Sequence, residues 1–249
     1  NLLTMLDLAG LPLRAADRGE GDPIVVAGGS CTMNPAVVVP FCDIVLPGDG
    51  EEILVEVTAK VAQARREGVS RAETLAQVRR LGGVWWEGTP APVRASVLAD
   101  LNRVPAPRPL VPVSEPVHDR LAVEVMRGCA RGCRFCQAGM IQRPVRERSV
   151  AGTVRAAVEG ADRSGLPEVG LLSLSTSDYR GLGPVVAGVQ DALAGSRTNL
   201  VLPSLRIDAI DADLYGRINR ERPAGFTFAP EAGTQRLRDV INKRISEPD

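Results

Sequence analysis

A chain of 249 residues with 44% apolar content is long enough for one large or two ordinary hydrophobic cores, and its 25 glycines and 19 prolines suit a loop-rich α/β protein. Lys plus Arg and Asp plus Glu both total 30, so no net field draws the protein to nucleic acid or to a membrane surface, while a local basic patch stays open. No apolar run is long enough to cross a bilayer and no charged-then-apolar leader opens the chain, so the expectation is a cytoplasmic protein with no membrane partner, in a reducing compartment that keeps thiols free.

Leucines at helical spacing in residues 1–14, stopped by Gly10 and Pro12, predict an amphipathic helix. Residues 24–27 read as a short strand ending at Gly28 and Gly29, Asn34 and Pro35 open a helical turn, and residues 43–46 read as a buried strand. The run Pro47, Gly48, Asp49, Gly50, Glu51, Glu52 turns the chain into a helix reaching about Glu67. Acidic groups there complement the helix dipole, and a direct ligand role for Glu51 or Glu52 is the alternative. Residues 68–83 predict a second helix, with Ser70 as cap, Glu73 three residues on and Gly82 and Gly83 at its end; residues 84–86 then form a short strand holding both tryptophans. Short strands alternating with helices predict a Rossmann-like parallel sheet over residues 1–88.

Prolines 90, 92, 105, 107, 109, 112 and 116 predict a stiff, extended linker over residues 89–116, with a domain boundary near 117 and His118 as a surface polar residue. A β-prone run, residues 121–126, then leads into a turn carrying Gly128 and Gly132, which sets Cys129, Cys133 and Cys136 on flexible backbone at a strand end. Iron-sulfur clusters are held by thiolates and usually take four, so three leave one iron of a four-iron cluster open to an outside ligand. Phe135, directly before the third cysteine, offers a flat apolar face suited to stacking on an adenine. Structural zinc is the alternative, yet it usually shows paired CxxC knuckles or histidines, and the one histidine lies eleven residues upstream of Cys129. Arg127, Arg131, Arg134, Arg143, Arg146 and Arg148 crowd this stretch against one acid, Glu147; they either hold anionic substrate or carboxylate groups or are salt-bridged to helix faces.

Downstream, a helix over 150–164 precedes a strand over 169–174, whose end carries Ser173, Ser175, Thr176, Ser177, Asp178 and Tyr179. A helix over 184–193, a strand over 199–203 and then Arg206 and Asp208 follow, with Arg206 read as a carboxylate clamp or as a salt bridge to Asp208. A helix over 211–219, a strand over 225–229 and the turn Pro230, Glu231, Ala232, Gly233 complete the series. Four strand-loop-helix repeats predict the front of a (β/α)6 partial barrel over residues 117–249, whose strand C-termini face the site.

The CxxxCxxC loop with an aromatic residue before its third cysteine resembles the cluster loop of the radical S-adenosylmethionine (SAM) superfamily. The wider context, VEVMRGCARGCRFCQAGMIQRPVRERS, LLSLSTSDY, LPSLRID and FAPEAGTQRLRDVINK, is similar to a bacterial family of radical SAM proteins with an N-terminal cobalamin (B12)-binding-like domain, and the resemblance spans essentially the whole chain. It implies a [4Fe-4S] cluster on Cys129, Cys133 and Cys136, with SAM on the open iron, cleaved reductively to a 5′-deoxyadenosyl radical. It implies a one-electron donor such as flavodoxin or ferredoxin and an unidentified substrate, RNA among the candidates. Phe135 and Glu231 take cofactor-binding positions by the same resemblance, Ser175 and Asp178 are read as substitute acceptors for the SAM ammonium, and Arg206, at a strand end, as a carboxylate clamp. The serine-rich run at 173–178 departs from the glycine-glycine-glutamate run that usually meets the SAM amino group. No Asp-x-His-x-x-Gly motif is present, which speaks against histidine-ligated cobalamin and mildly favours a domain that has lost it. Cys31 and Cys42 read as small core residues, or as two ligands of an auxiliary cluster. Methylthiotransferase-like modification of RNA or protein and a non-catalytic iron-sulfur protein are the competing functions. By comparison with the family, the chain reads as an internal fragment of a longer protein.

Overall fold

The computed structural model describes residues 1–90, 92–106, 108–114, 116–203, 205–209, 216 and 228–248. The chain divides into two compact units, Asn1–Leu98 and Ala99–Asp249.

In the first unit, α1 (Leu2–Leu8) ends sooner than the leucine spacing suggested, because Gly10 takes a left-handed φ of 67°. Strand β1 (Val26–Gly28) pairs in parallel with β2 (Ile44–Leu46), Val26 opposite Ile44 and Gly28 opposite Leu46. Every residue of β2 is buried, as an uninterrupted apolar run requires of a strand covered on both faces. The connection between them is three successive 3₁₀ turns, Ser30–Met33, Pro35–Val37 and Val39–Phe41, where one helical turn was expected. Pro35 and Pro40 start turns well but cannot donate the hydrogen bonds that would merge them into one helix.

Helices α2 (Ile53–Arg66) and α3 (Arg71–Val78) bury Ile53, Val57, Leu75 and Val78 against Ile44 and Leu46. Ser70 Oγ accepts the Glu73 N–H at 3.2 Å, the predicted cap. The expected strand at 84–86 reduces to one antiparallel bridge, Trp85 exchanging backbone bonds of 2.7 and 2.8 Å with Val45. Gly48, at φ 93°, is the tightest backbone approach in the unit: a Cβ there would lie 2.1 Å from Ser96 O. Asp49 completes that fastening, accepting the Leu98 N–H at 2.8 Å. Below the sheet Asp43 is buried between two cations, with Arg18 Nη1 at 3.1 Å and Arg71 Nη2 at 2.6 Å, and it also accepts the Val25 N–H at 2.7 Å.

The second unit begins in the proline-rich stretch. Leu101 is buried in a short turn (Leu101–Arg103), Asn102 Oδ1 accepts the Ser149 N–H at 2.8 Å, and Val104 O accepts from Arg148 at 3.0 Å. Leu110, Val113 and Val117 beyond it are exposed. The strand expected over 121–126 is two, β3 (Leu121–Glu124) and β4 (Met126–Arg127). Val125 between them donates to Leu172 O at 3.0 Å and accepts from Arg148 N at 2.8 Å, which hands the chain from one partner to another. After α4 (Ala138–Ile141), β5 (Arg146–Glu147) pairs antiparallel with β4.

Helix α5 (Val150–Ser164) starts at Ser149, whose Oγ accepts the Gly152 N–H, and stops at Gly165 in the left-handed region at φ 66°. It connects β3 to β6 (Glu168–Leu172), and α6 (Leu182–Ala192) connects β6 to β7 (Asn199–Val201); the sheet order is β3-β6-β7, all parallel. Gly160 lets α5 press on the sheet, since a Cβ there would meet Leu121 Cδ2 at 2.5 Å. Val123, Val125, Val169, Leu171, Val185 and Val186 form the dry centre, each worth about 1.5–3 kcal/mol of burial. The expected helix over 211–219 and strand over 225–229 lie outside the described residues, apart from Gly216, Phe228 and Ala229. Helix α7 (Gln235–Val240) is capped by Thr234, whose Oγ1 accepts from Leu237 N at 3.3 Å.

Both units are α/β with parallel strands: a Rossmann-like sheet in the first and part of a β/α barrel in the second. Among the described residues no helix is long and apolar enough to cross a membrane.

Candidate metal centre

Cys129, Cys133 and Cys136 lie in the loop from β4 to α4, free and half-buried. Gly128, directly before the first, sits at φ 86° where a Cβ would lie 2.6 Å from Gln142 O and 2.8 Å from Pro144 O, so the two limbs of the loop close on a bare backbone. Backbone amides face two of the sulfurs, Arg131 N at 3.5 Å from Cys129 Sγ and Gly139 N at 3.3 Å from Cys136 Sγ. A Cβ on Gly139 would stand 3.5 Å from Cys136 Sγ and 3.9 Å from Cys129 Cβ. Gly139 therefore packs at ordinary contact distance from the first and third cysteines. Among the described residues no three His, Cys, Asp or Glu side chains gather as a site for a single metal ion. Three thiols in one loop suit a polynuclear cluster, the chemistry thiolates support with iron and sulfide.

The six arginines are engaged within the chain, mostly through main-chain carbonyls rather than through the salt bridges to helix faces that were the second reading. Arg127 pairs with Glu124 at 2.9 and 2.8 Å, and Arg131 pairs with Asp178. Arg134 donates to Val240 O, Arg143 to Gly139 O at 2.9 Å, Arg146 to Pro144 O and Gln142 O at 3.0 Å each, and Arg148 to Glu124 O at 3.2 Å. They stitch the loop to its surroundings.

Asp178 follows β6 in a short 3₁₀ turn (Thr176–Asp178), so it stands at the C-terminal edge of the sheet, beside the cysteine loop. Its burial acts to raise the carboxyl pKa, but the Arg131 guanidinium, Ser175 and Arg206 outweigh that and hold it below the ordinary aspartate value. A depressed carboxyl stabilises the fold above its unfolded pKa, and the contribution is lost as pH falls through the folded value. In Arg131→Met the burial is left largely uncompensated, so Asp178 titrates at higher pH than in the parent chain and acid destabilisation starts earlier. Carboxyl ¹³C NMR reads this directly, and an unmoved titration would dismiss the pair as the cause.

Ser175 is 4% exposed and its Oγ has no partner at hydrogen-bonding geometry, though it lies near enough to lower the Asp178 pKa. Arg206 holds Asp208 through two bonds of 2.8 Å, the salt bridge that was one of its two sequence readings. Asp208 in turn lies 3.7 Å from Arg131 Nη1, which joins the two strand ends to the cysteine loop. Glu231 has a left-handed backbone at φ 67° and pairs with Lys243 at 3.1 Å. Phe135 is 54% exposed. Of the first-unit cysteines, Cys31 is exposed while Cys42 is buried, and burial pushes the Cys42 thiol up against a lowering influence of Arg18. Two residues whose contacts no local pattern announced, Gly139 and Asn242, touch the cysteine loop; Asn242 lies 110 positions from the carbonyl it holds.

The family described as "Radical SAM proteins, N-terminal" matches residues 1–86, and the one described as "Radical SAM superfamily" matches residues 123–249. An uncharacterized protein of Methanocaldococcus jannaschii, MJ0966, is 35% identical over 127 residues, 51% of this chain and 27% of the relative. Among solved structures, the radical SAM methyltransferase TsrM of Kitasatospora setae, with its tryptophan substrate and a SAM analogue bound, superposes with a TM-score of 0.63 at 17% identity, over 90% of this chain and 44% of that one. The same enzyme with cobalamin and a [4Fe-4S] cluster bound superposes at 0.58 and 18% identity, over 82% and 42%. The chain thus spans under half the length of the TsrM chain and about a quarter of the archaeal relative. A radical SAM match across the second unit, laid over a parallel sheet with three thiols at its C-terminal edge, places this chain in the radical SAM superfamily, a family of enzymes that work with SAM and a [4Fe-4S] cluster.

Proposed function

We propose that residues 117–249 form a radical SAM core in which Cys129, Cys133 and Cys136 ligate a [4Fe-4S] cluster, with residues 1–88 as a cobalamin-binding-like domain and 89–116 as the linker. The observation that carries it is the three free, half-buried cysteines in the loop from β4 to α4, at the C-terminal edge of the parallel sheet. A bound, reduced cluster would supply the one electron that breaks the S–C5′ bond of SAM, leaving methionine and a 5′-deoxyadenosyl radical able to abstract hydrogen from a substrate.

The chain's own residues bind and orient. Phe135, half out of the surface, offers its ring to the adenine. The unpartnered Ser175 hydroxyl and the ionised Asp178 carboxylate supply acceptors for the SAM ammonium at the end of β6. Arg206 acts through Asp208, fixing the carboxylate that faces Arg131. Glu231 accepts from a ribose hydroxyl or an ammonium, with Lys243 holding its carboxylate. The electron comes from a flavodoxin- or ferredoxin-type donor, and the setting is cytoplasmic.

The test is anaerobic. The full-length protein, reconstituted with iron and sulfide and given SAM and a strong reductant, forms 5′-deoxyadenosine. A protein that binds about four irons yet leaves SAM intact with reductant and candidate substrates present would instead support a non-catalytic iron-sulfur protein.

A cobalamin-dependent methyltransferase is a second reading, favoured by the superposition with TsrM over 90% of the chain, which takes in the first unit as well. Residues 1–98 contain no histidine, so a corrinoid there would be held without an imidazole from this unit. Corrinoid absorbance in the purified full-length protein supports this reading. Methylthiotransferase-like chemistry would require about eight irons per chain, for two clusters.

A further inference from the structure

The segment after α7 reaches back to the cysteine loop. Asn242 Nδ2 donates to Gly132 O at 2.8 Å and to Arg131 O at 3.3 Å, the two carbonyls immediately ahead of Cys133. Immediately beside it Ile241 O accepts the Arg134 N–H at 2.9 Å and Val240 O accepts from the Arg134 guanidinium, so both sides of Cys133 are tied to the same few residues. Arg244 Nε donates to Asn242 Oδ1 at 3.1 Å, which directs the amide nitrogen toward the loop.

The segment is itself anchored. Arg206 Nη2 donates to Lys243 O at 3.0 Å and to Arg244 O at 3.3 Å, and Arg206 holds Asp208, which faces Arg131. These contacts close a circuit: cysteine loop, the turns after β6 and β7, the segment after α7, and the cysteine loop again. Asn242 adopts a left-handed φ of 55°, a conformation asparagine tolerates better than most residues. Gly132, at φ 73°, has no side chain of its own to restrain it, and a Cβ there would touch Asn242 Nδ2 at 3.4 Å. The Asn242 amide thus grips the loop at a left-handed glycine.

We propose that Asn242 is a positioning residue for the cluster: its amide fixes the Arg131 and Gly132 carbonyls and thereby the direction in which Cys133 presents its sulfur. The inference rests on the ligand reading given under Proposed function. Groups that orient metal ligands from the second layer typically contribute about 10- to 100-fold to metal affinity or activity. Asn242 acts from that distance, through the backbone of a ligand.

Two variants separate positioning from simple folding. Asn242→Gly keeps the left-handed backbone and deletes the amide; Asn242→Asp keeps the shape and turns the donor into an acceptor facing two carbonyls. With full-length protein reconstituted anaerobically, both variants keep a thermal unfolding midpoint close to the parent and take up a cluster. Their reduced clusters give an altered electron paramagnetic resonance spectrum with a weakened response to SAM, and a ferrous chelator strips the iron about 10- to 100-fold faster. Spectra, SAM response and chelation rate matching the parent in both variants would overturn the proposal while leaving the cluster assignment intact. A parent protein that takes up no cluster would overturn the ligand reading and this inference with it.

Discussion

Alanine at Cys129, Cys133 or Cys136 empties the centre: reconstituted iron falls from about four atoms per chain to near zero, and 5′-deoxyadenosine formation ceases. The effect is large because the second unit's sequence holds no further cysteine and a single histidine, His118. The remaining thiols are Cys42, buried in the first unit, and Cys31, set among the 3₁₀ turns of that unit, while His118 is exposed in the stretch before β3. A cluster already short of one protein ligand loses a second, and two thiolates from a loop closed by Gly128 cannot encircle it. Iron and sulfide analysis beside product chromatography decides the point, and a variant keeping full iron and full SAM cleavage would remove that cysteine from the ligand set.

The second large effect lies far from the iron. Asp43 is 2% exposed, and the Arg18 side chain it pairs with has no exposure at all. Asp43→Ala strands that guanidinium in the core and leaves the Val25 amide without its acceptor. Breaking one side of a buried ion pair costs about 3–5 kcal/mol. A drop of that size in the urea stability of the first unit is the expected result; less than about 1 kcal/mol would mean that the residual bonds of Arg18 to Leu13 O and Phe41 O suffice to hold it. The pair Arg18→Met with Asp43→Leu should recover only part of the loss, since it removes the stranded Arg18 charge but still leaves Arg71 and the Val25 amide without the carboxylate.

What the sequence disclosed follows from how local each signal is. Helix α5 was legible to the residue because its cap Ser149, its stop Gly165 and its buried stripe of Ala157 and Ala161 all lie within one stretch of chain. The cysteine motif was equally local, and so was the superfamily. Strand ends were less so: nothing in residues 121–126 announces that Val125 changes partners, because the change is made by Leu172 and Arg148 from elsewhere. For the same reason Trp85 looked like a strand residue and is a single bridge, since only Val45 lies opposite it. The arginines were ambiguous because charge alone does not name an acceptor, and most of theirs are backbone oxygens that every residue carries. Asn242 lies within the FAPEAGTQRLRDVINK run that carries the family resemblance, but nothing local signals its contact with the cysteine loop. Its role exists only once α7 is folded against a loop more than a hundred positions earlier.

The arginine-to-carbonyl contacts carry a consequence for how this region tolerates change. Arg134, Arg143, Arg146, Arg148 and Arg206 all donate to main-chain oxygens, of Val240, Gly139, Pro144, Gln142, Glu124, Val104, Lys243 and Arg244. A carbonyl is supplied by any amino acid, so for these particular bonds the acceptor positions can exchange side chains freely while the donors cannot. Variation among related chains would then fall unevenly on the two ends of each bond: the guanidinium persists, and the residue it grips drifts.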